Sequence, residues 1–499
     1  MKNWTAEMRR RVFDPKDTDE LKKLHTQITR SRWRSRFHIQ TVTGLLNDPN
    51  GFCFFNGKWH LFYQWFPYGA VHGLKHWYHV TSDDLYHWKN EGLALKPDVY
   101  ADNGGCYTGS AFATDNMLYL AYTGNCRDGN YNRIPYQMMA TMDKEGSITK
   151  NEIPIIIPEP GYTEHQRDPK IFRYLGSYYI LLGAQDSEKK GRLLLYRSYD
   201  IESGWEFAGE LKVRGHDGFG FMVECPDIEK IGDHWLLMFS PQGIEADGYE
   251  FNNKYNSVYM VGKMDFENLE FIPNGPMKEV DRGFDFYAPQ CAFQREFPSK
   301  AVMTAWFGSC DYAYPPTDDE EWSGLITLPR ELSVQGGKLL QKPARGWETL
   351  KGNQIFEAKE GSIISDSVHG LMPQTCIIEL GDPDSESMMI SLFSGSGLRG
   401  FEITYDKYSK RFVIDKGGMR SLINPEFGTK RTVVLENGLK KMLAFVDRSS
   451  VEIFLNDGEY VLSARIFPDE YENLIRFGGK NIDLNIYAAN AAMGEDFVI

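Results

Sequence analysis

Alternating apolar and polar positions dominate this chain, and they come in paired runs that recur. The runs are GFCFFNGKWHLFYQW from Gly51, SAFATDNMLYLAYTG from Ser110, PKIFRYLGSYYILLGAQ from Pro169, PDIEKIGDHWLLMFSPQ from Pro226 and APQCAFQREFPSKAVMTAWFG from Ala288. Each reads as a strand, a short turn bearing Gly, Asn, Asp or Pro, and a second strand, which is a hairpin signature. Four of them are followed by a second strand pair, beginning at Tyr78, Tyr136, Leu193 and Val258. A four-stranded unit cannot bury both faces alone. Five units repeated around an axis predict an all-β, five-bladed β-propeller. A large β-sandwich without radial symmetry is the alternative.

The pattern changes at both ends. Residues 1–30 are polar and charged and predict a helical extension packed on the body. The repeat runs over residues 31–340 and stops near Leu340, and QKPARGWETL forms a linker. Residues 347–499 then carry short, evenly spaced amphipathic segments such as TCIIELG, SMMISLF, GFEITYD, KMLAFVD and SSVEIFLN. These predict a C-terminal β-sandwich. GSGLRG at Gly395–Gly400 matches a dinucleotide-binding pattern in letters, but a strand follows it where a helix is required, so it reads as a hairpin turn.

Composition narrows the partners. Sixty-nine acidic against 55 basic residues give a net charge of −14, which argues against nucleic acid and anionic membrane surfaces. Seven scattered cysteines with no CxxC fit a reducing compartment better than a disulfide framework or zinc site. The first 30 residues lack the apolar core of a secretory signal, and no run of about 18 apolar residues occurs. The expectation is a cytoplasmic protein that needs no cofactor and no metal. His72, His76 and His79 are closely spaced, but a strand sends them to different faces and no Cys or carboxylate completes a ligand set. Monomer and homodimer both remain open.

The candidate chemistry lies at an acid-plus-proline turn that occurs three times: Asp48-Pro49, Asp168-Pro169 and Glu224-Cys225-Pro226. Proline fixes its own φ and holds the preceding residue extended. Most such turns are only turns. Three copies at the entry to the first strand pair of blades one, three and four would nonetheless meet at one mouth of the central channel. Asp285 in FDFYAPQ adds a fourth acid before an aligned proline, and blade two offers Tyr107-Thr108 at its entry. Crowded carboxylates raise at least one pKa, which suits glycosidic bond cleavage. Glu224, after the apolar run GFGFMV, is the candidate general acid and base. Asp48 is the candidate nucleophile, and Asp168, beside Arg167, is expected to stay ionised as a hydrogen-bond acceptor.

LLNDPNG from Leu45, RDPK from Arg167 and ECPD from Glu224 resemble the signature set of glycoside hydrolase family 32, which includes invertases, fructan hydrolases and sucrose-6-phosphate hydrolases. YTGS from Tyr107, DFYAPQ from Asp285, TLPRELS from Thr327 and VDRSSVEIFLNDG from Val446 extend the resemblance in order along nearly the whole chain. It implies retaining hydrolysis of a β-fructofuranoside through a covalent fructosyl-enzyme. Asp48 would be the nucleophile, Glu224 the acid/base, and Asp168 a holder of fructose hydroxyls. Leu45, Leu46, Asn47, Gln64, Tyr107, Thr108, Arg167 and Trp306 fall at substrate-binding positions. The chain departs from secreted invertases at His72 and in GLKHWYHVTS, on the leaving-group side. There Lys75, and more weakly Arg127 and Arg133, are candidates to recognise a phosphate, which favours sucrose 6-phosphate over sucrose. An inverting five-bladed glycosidase on pentose glycans and a non-catalytic carbohydrate-binding propeller are the competing readings.

Overall fold

The computed structural model describes residues 3–293, 299–358, 363–381, 386–395, 397–480 and 483–499. Five mainly antiparallel sheets are arranged as blades around an axis, and two further sheets form a sandwich behind them. Each blade begins with its innermost strand: Gly44–Phe55, Cys106–Ala113, Tyr162–Tyr174, Met222–Ile231 and Tyr287–Phe293. The turn of the fifth hairpin, 294–298, lies outside the described residues. In the first hairpin, Asn56 (φ 48°) and Gly57 (φ 80°) are both left-handed, as a two-residue type I′ turn requires. The strand after it, Lys58–Phe66, is buried from His60 onward, because blades cover one another on both faces.

The ring is closed by chain from its far end. Trp322–Ser323 pairs in parallel with Gly44 and Leu45 of blade one, and Gln40 bridges Leu325. The fifth blade also has an outer pair, Arg330–Gln335 and Lys338–Pro343. The sequence pattern missed this pair because residues 307–329 separate it from the inner hairpin. The last strand of the blade ends at Pro343.

The sandwich consists of two six-stranded sheets packed through Ile378, Leu392, Ile403, Phe412, Ile453 and Leu462. A fully buried polar network joins it to the propeller. His38 contacts Asp447 Oδ2 at 2.9 Å and Glu452 Oε1 at 3.0 Å. Arg330 Nη2 donates to Asp281 Oδ2 and Glu452 Oε2, both at 2.8 Å. Segment 490–499 leaves the sandwich and returns to blade one, where the Tyr78 hydroxyl donates to Val498 O at 2.7 Å.

The extension contains two helices, α1 (Ala6–Arg9) and α2 (Thr18–Ile28). Helix α2 buries Leu21, His25 and Ile28, with Ile28 against Phe307, Trp322 and Leu325. The segment around α1 is fastened to the loop that follows Phe66. Leu74 N donates to Arg9 O at 2.7 Å, Phe13 N donates to His76 Nε2 at 3.1 Å, and Trp4 meets Phe66 edge-on at 5.7 Å. Among the described residues, no helix is long and apolar enough to cross a membrane.

Candidate active site

Every innermost strand contains the same irregularity, a one-residue bulge against its hairpin partner. The ladder steps from Leu46↔Trp65 to Pro49↔Tyr63 in blade one and from Cys106↔Gly124 to Gly109↔Tyr122 in blade two. It steps from Arg167↔Gly183 to Lys170↔Leu181 in blade three, and from Glu224↔Ser240 to Asp227↔Met238 in blade four. Blade five repeats it between Tyr287↔Trp306 and Gln290↔Thr304. A bulge bends a strand and re-aims its side chains, so five bulges at one level crowd the end of the axis. The bulged residues Asp168 (φ 71°), Cys225 (φ 48°) and Ala288 (φ 51°) take left-handed backbone, a strain commonly kept at functional sites.

This register corrects the simplest reading of the acid-proline turns. The acids belong to the innermost strands themselves and are staggered. Glu224 holds the position of Arg167 and Tyr287, while Asp168 aligns with Asn47, Tyr107, Cys225 and Ala288. Asp48 lies one residue further, level with Thr108. Asp285 is outside the cluster: it accepts from Tyr314 OH at 3.0 Å and from Arg465 N at 2.8 Å.

Buried side chains just beyond the bulges join blade to blade. Asn50 Oδ1 accepts from Gly109 N at 3.0 Å, and Ser110 Oγ donates to Pro169 O at 2.7 Å. Lys170 Nζ donates to Asp227 Oδ2 at 3.0 Å, Glu229 Oε1 at 2.8 Å and Cys291 O at 2.9 Å. Gln290 accepts from Phe52 N and donates to Gly109 O, both at 2.8 Å, which closes the circuit. The bulges thus rest on a buried hydrogen-bonded ring, whose side chains leave only one buried atom, Asp227 Oδ1, without a partner among the described residues.

The three carboxylates converge above this ring. The Cys225 thiol lies 3.7 Å from both Asp48 Oδ2 and Asp168 Oδ2. Asp48 accepts from Thr108 Oγ1 at 2.5 Å, Asn47 Nδ2 at 3.2 Å and Gln64 Nε2 at 3.3 Å. Burial raises its pKa above the ordinary carboxylate range, and the charge of Glu224 adds to this while the Thr108 donor opposes it. Asp168 accepts from Cys225 N at 2.9 Å. Burial pushes Asp168 up to about 7 despite Arg167. Arg167, expected to keep it ionised, opposes this rise from 3.9 Å, while its guanidinium also reaches Glu224 Oε1 at 2.7 and 3.2 Å.

Glu224 is gripped at both oxygens. Its Oε2 accepts from the Tyr287 hydroxyl at 2.6 Å and from Gln242 Nε2 at 2.8 Å, with the Cys310 sulfur 3.9 Å away. Tyr287, Gln242, Cys310 and His165 were not singled out from sequence. Tyr287 carried a signal, since its place in DFYAPQ is the blade-five counterpart of Glu224.

The remaining predicted residues divide. Asn47, Gln64 and Thr108 join the Asp48 network, and Gln64 Nε2 also donates to Thr108 Oγ1. Trp306 is buried with its indole N–H unpartnered among the described residues, 6.4 Å from the Tyr287 ring and 6.2 Å from His72. Tyr107 is half-buried at the blade-two bulge. Leu45 and Leu46 point into the core with Trp65 and Phe66. Lys75 is buried, and its ammonium donates to Asn47 Oδ1 at 2.5 Å. Burial lowers Lys75 to about 7 against the attraction of Asp48. The three clustered histidines separate: His72 faces Trp306, His76 accepts from Phe13 N, and His79 stacks on Phe62 at 4.3 Å.

The chain matches two family models, the glycosyl hydrolases family 32 N-terminal domain over residues 38–343 and the family 32 C-terminal domain over residues 351–487. It is 40% identical over 473 residues to a sucrose-6-phosphate hydrolase of Staphylococcus xylosus, covering 94% of each chain. The structure of a sucrose-6-phosphate hydrolase from Lactobacillus gasseri superposes with a TM-score of 0.90 at 33% identity, covering 98% of this chain and all of that one. A Bombyx mori family 32 β-fructofuranosidase gives 0.83 at 28% identity, covering 97% and 100%. The chain therefore belongs to glycosyl hydrolase family 32. It is a glycoside hydrolase, and its substrate is a sugar.

Proposed function

We propose that this enzyme hydrolyses sucrose 6-phosphate to fructose and glucose 6-phosphate with retention at the fructosyl carbon. Asp48 attacks the anomeric carbon of the fructosyl unit while Glu224 delivers a proton to the departing glycosidic oxygen. The C–O bond to glucose 6-phosphate breaks and an ester to Asp48 forms. Glu224, now a carboxylate, takes a proton from water as that water displaces Asp48 and releases fructose. The three donors on Asp48 stabilise the carboxylate that must attack, against the burial that opposes ionisation. Asp168 holds fructose hydroxyls opposite them. The observation that carries the reading is the meeting of Asp48, Asp168 and Glu224 around Cys225 and Arg167. The substrate rests on the relatives of nearly full-length similarity, which are sucrose-6-phosphate hydrolases. The proposal includes three units, a helical extension over 1–30, a propeller over 31–340 and a sandwich over 347–499, working in the cytoplasm.

Fructose release tests the assignment. Asp48→Ala and Glu224→Gln each lower kcat on sucrose 6-phosphate by about 10³-fold or more while the melting transition stays cooperative. A fructoside with an activated leaving group restores part of the Glu224→Gln rate and none of the Asp48→Ala rate. Near wild-type turnover in either variant would refute its role. With methanol as acceptor, retention yields the methyl β-fructofuranoside, whereas the α-anomer would establish inversion.

A further inference from the structure

Leaving-group recognition rests on charge, and the cations at the pocket are of two kinds. Arg167 is engaged by Glu224 at 2.7 Å, and Lys75 is taken up beneath Asn47 on the Asp48 side. Arg133, Arg127 and Arg10 have no carboxylate within 4 Å among the described residues. Arg127 and Arg133 are cross-strand partners at the end of the blade-two ladder. The turn between them presents Tyr131, half exposed. The Arg127 guanidinium lies 5.2 Å from that ring, and Arg10, from the segment after α1, covers it at 3.9 Å.

Arg133 connects this group to the reacting end of the pocket. Its Nη1 meets His165 Nδ1 at 3.2 Å, and Arg167 Nη1 meets the same nitrogen at 2.9 Å. Two guanidiniums on one imidazole nitrogen require that nitrogen to be a bare acceptor, and burial with both arginines drives His165 down to about 4. Arg167 in turn holds Glu224. Arg133 Nε is buried and unpartnered. Burial, with repulsion from Arg167 and Arg127, lowers the Arg133 pKa, opposed by Tyr107 and Glu164. In a chain of net charge −14, these three arginines stand together with no carboxylate within ion-pair distance among the described residues, an arrangement that an incoming dianion would relieve.

We propose that Arg133 and Arg127, with Arg10 behind Tyr131, form the receptor for the phosphate of the leaving sugar. The inference rests on the substrate reading above and moves phosphate recognition from Lys75 to blade two and the helical extension. The extension then belongs to the active site, since Arg9 also donates to His72 O at 3.1 Å.

The test is kcat/KM on sucrose 6-phosphate and on sucrose for the wild type, Arg133→Gln, Arg127→Gln and Arg10→Gln. The phosphorylated-to-plain ratio falls about 30-fold in Arg133→Gln and about 10-fold in Arg127→Gln, mostly through KM, as expected for losing charge-assisted hydrogen bonds. Arg10→Gln lowers it about 3-fold. Ratios unchanged in Arg133→Gln and Arg127→Gln would overturn the receptor. So would an equal loss on both substrates, which would mean that Arg133 acts only through His165. If Arg133→Gln fails to fold, Arg127→Gln, at the partly exposed end of its strand, decides by the same ratio. A wild type with no preference for sucrose 6-phosphate would instead remove the substrate reading. The receptor is then tested by inhibition with glucose 6-phosphate: weaker in Arg133→Gln supports it, and equal inhibition overturns it.

Discussion

Asp168 accepts a backbone hydrogen bond from Cys225 and still rises to about 7, because burial outweighs that donor and Arg167 faces Glu224. The folded state therefore keeps a proton that the unfolded chain, near the ordinary 3.8, has released. By linkage, stability falls as pH rises from about 4 to about 7, and the charged site costs stability above that window. Asp168→Asn removes this cost. The variant melts about 1–3 °C above the wild type at pH 8 and loses the advantage near pH 4, while its kcat falls at least 100-fold. Thermal melts across that pH range check the sign, and a variant less stable at pH 8 would show that Asp168 is stabilising as a carboxylate. Stability given up for a working carboxylate is a common exchange at active sites. Sequence alone pointed to this acid and to Arg167 beside it. It did not reveal that the guanidinium is shared, 3.9 Å from Asp168 Oδ2 and 2.7 Å from Glu224 Oε1, because Glu224 lies on the next blade.

At the scale of the element, the bulge is the unit that matters. The aligned prolines Pro169, Pro226 and Pro289 made it legible in three blades, and the hairpin turns gave the strands. Pro49 sits one residue further on, and no local signal reveals that offset, because register depends on the partner strand. Blade contact adds a second constraint. A Cβ built on Gly183 would stand 2.2 Å from Val223 O, next to Glu224. Gly183→Ala must push blades three and four apart there, at a cost of about 1–3 kcal/mol. The expected outcome is a protein that still folds but has lost most of its kcat, measured by urea titration alongside fructose release. Wild-type turnover in a destabilised variant would show that the bulge tolerates blade displacement.

For the whole molecule, the buried network of His38, Arg330, Asp281, Asp447 and Glu452 makes propeller and sandwich one body. The five sandwich segments quoted from the sequence all form strands, and seven more complete its two six-stranded sheets. What the sequence pattern lacked was the reason for the sandwich, because VDRSSVEIFLNDG reads as an ordinary hairpin until Asp447 and Glu452 are seen against His38. Removing one member leaves buried charge unpaired, at about 3–5 kcal/mol. Arg330→Met therefore lowers the melting temperature and, by loosening the joint, splits a single calorimetric transition into two. A single transition at the wild-type temperature would show that the network contributes nothing net.

The closed ring also fixes an order of events during synthesis. Blade one is made first, yet its innermost strand waits for Trp322–Ser323 and its outer strands for Asp496 and Val498, which bond Asn90 and Tyr78. Asp48 and its partners Gln64 and Thr108 thus leave the ribosome long before the strand that closes blade one. An uncapped, aromatic first blade must be sheltered over most of the translation time, and a nascent chain halted before residue 322 carries all three acids with no catalytic competence.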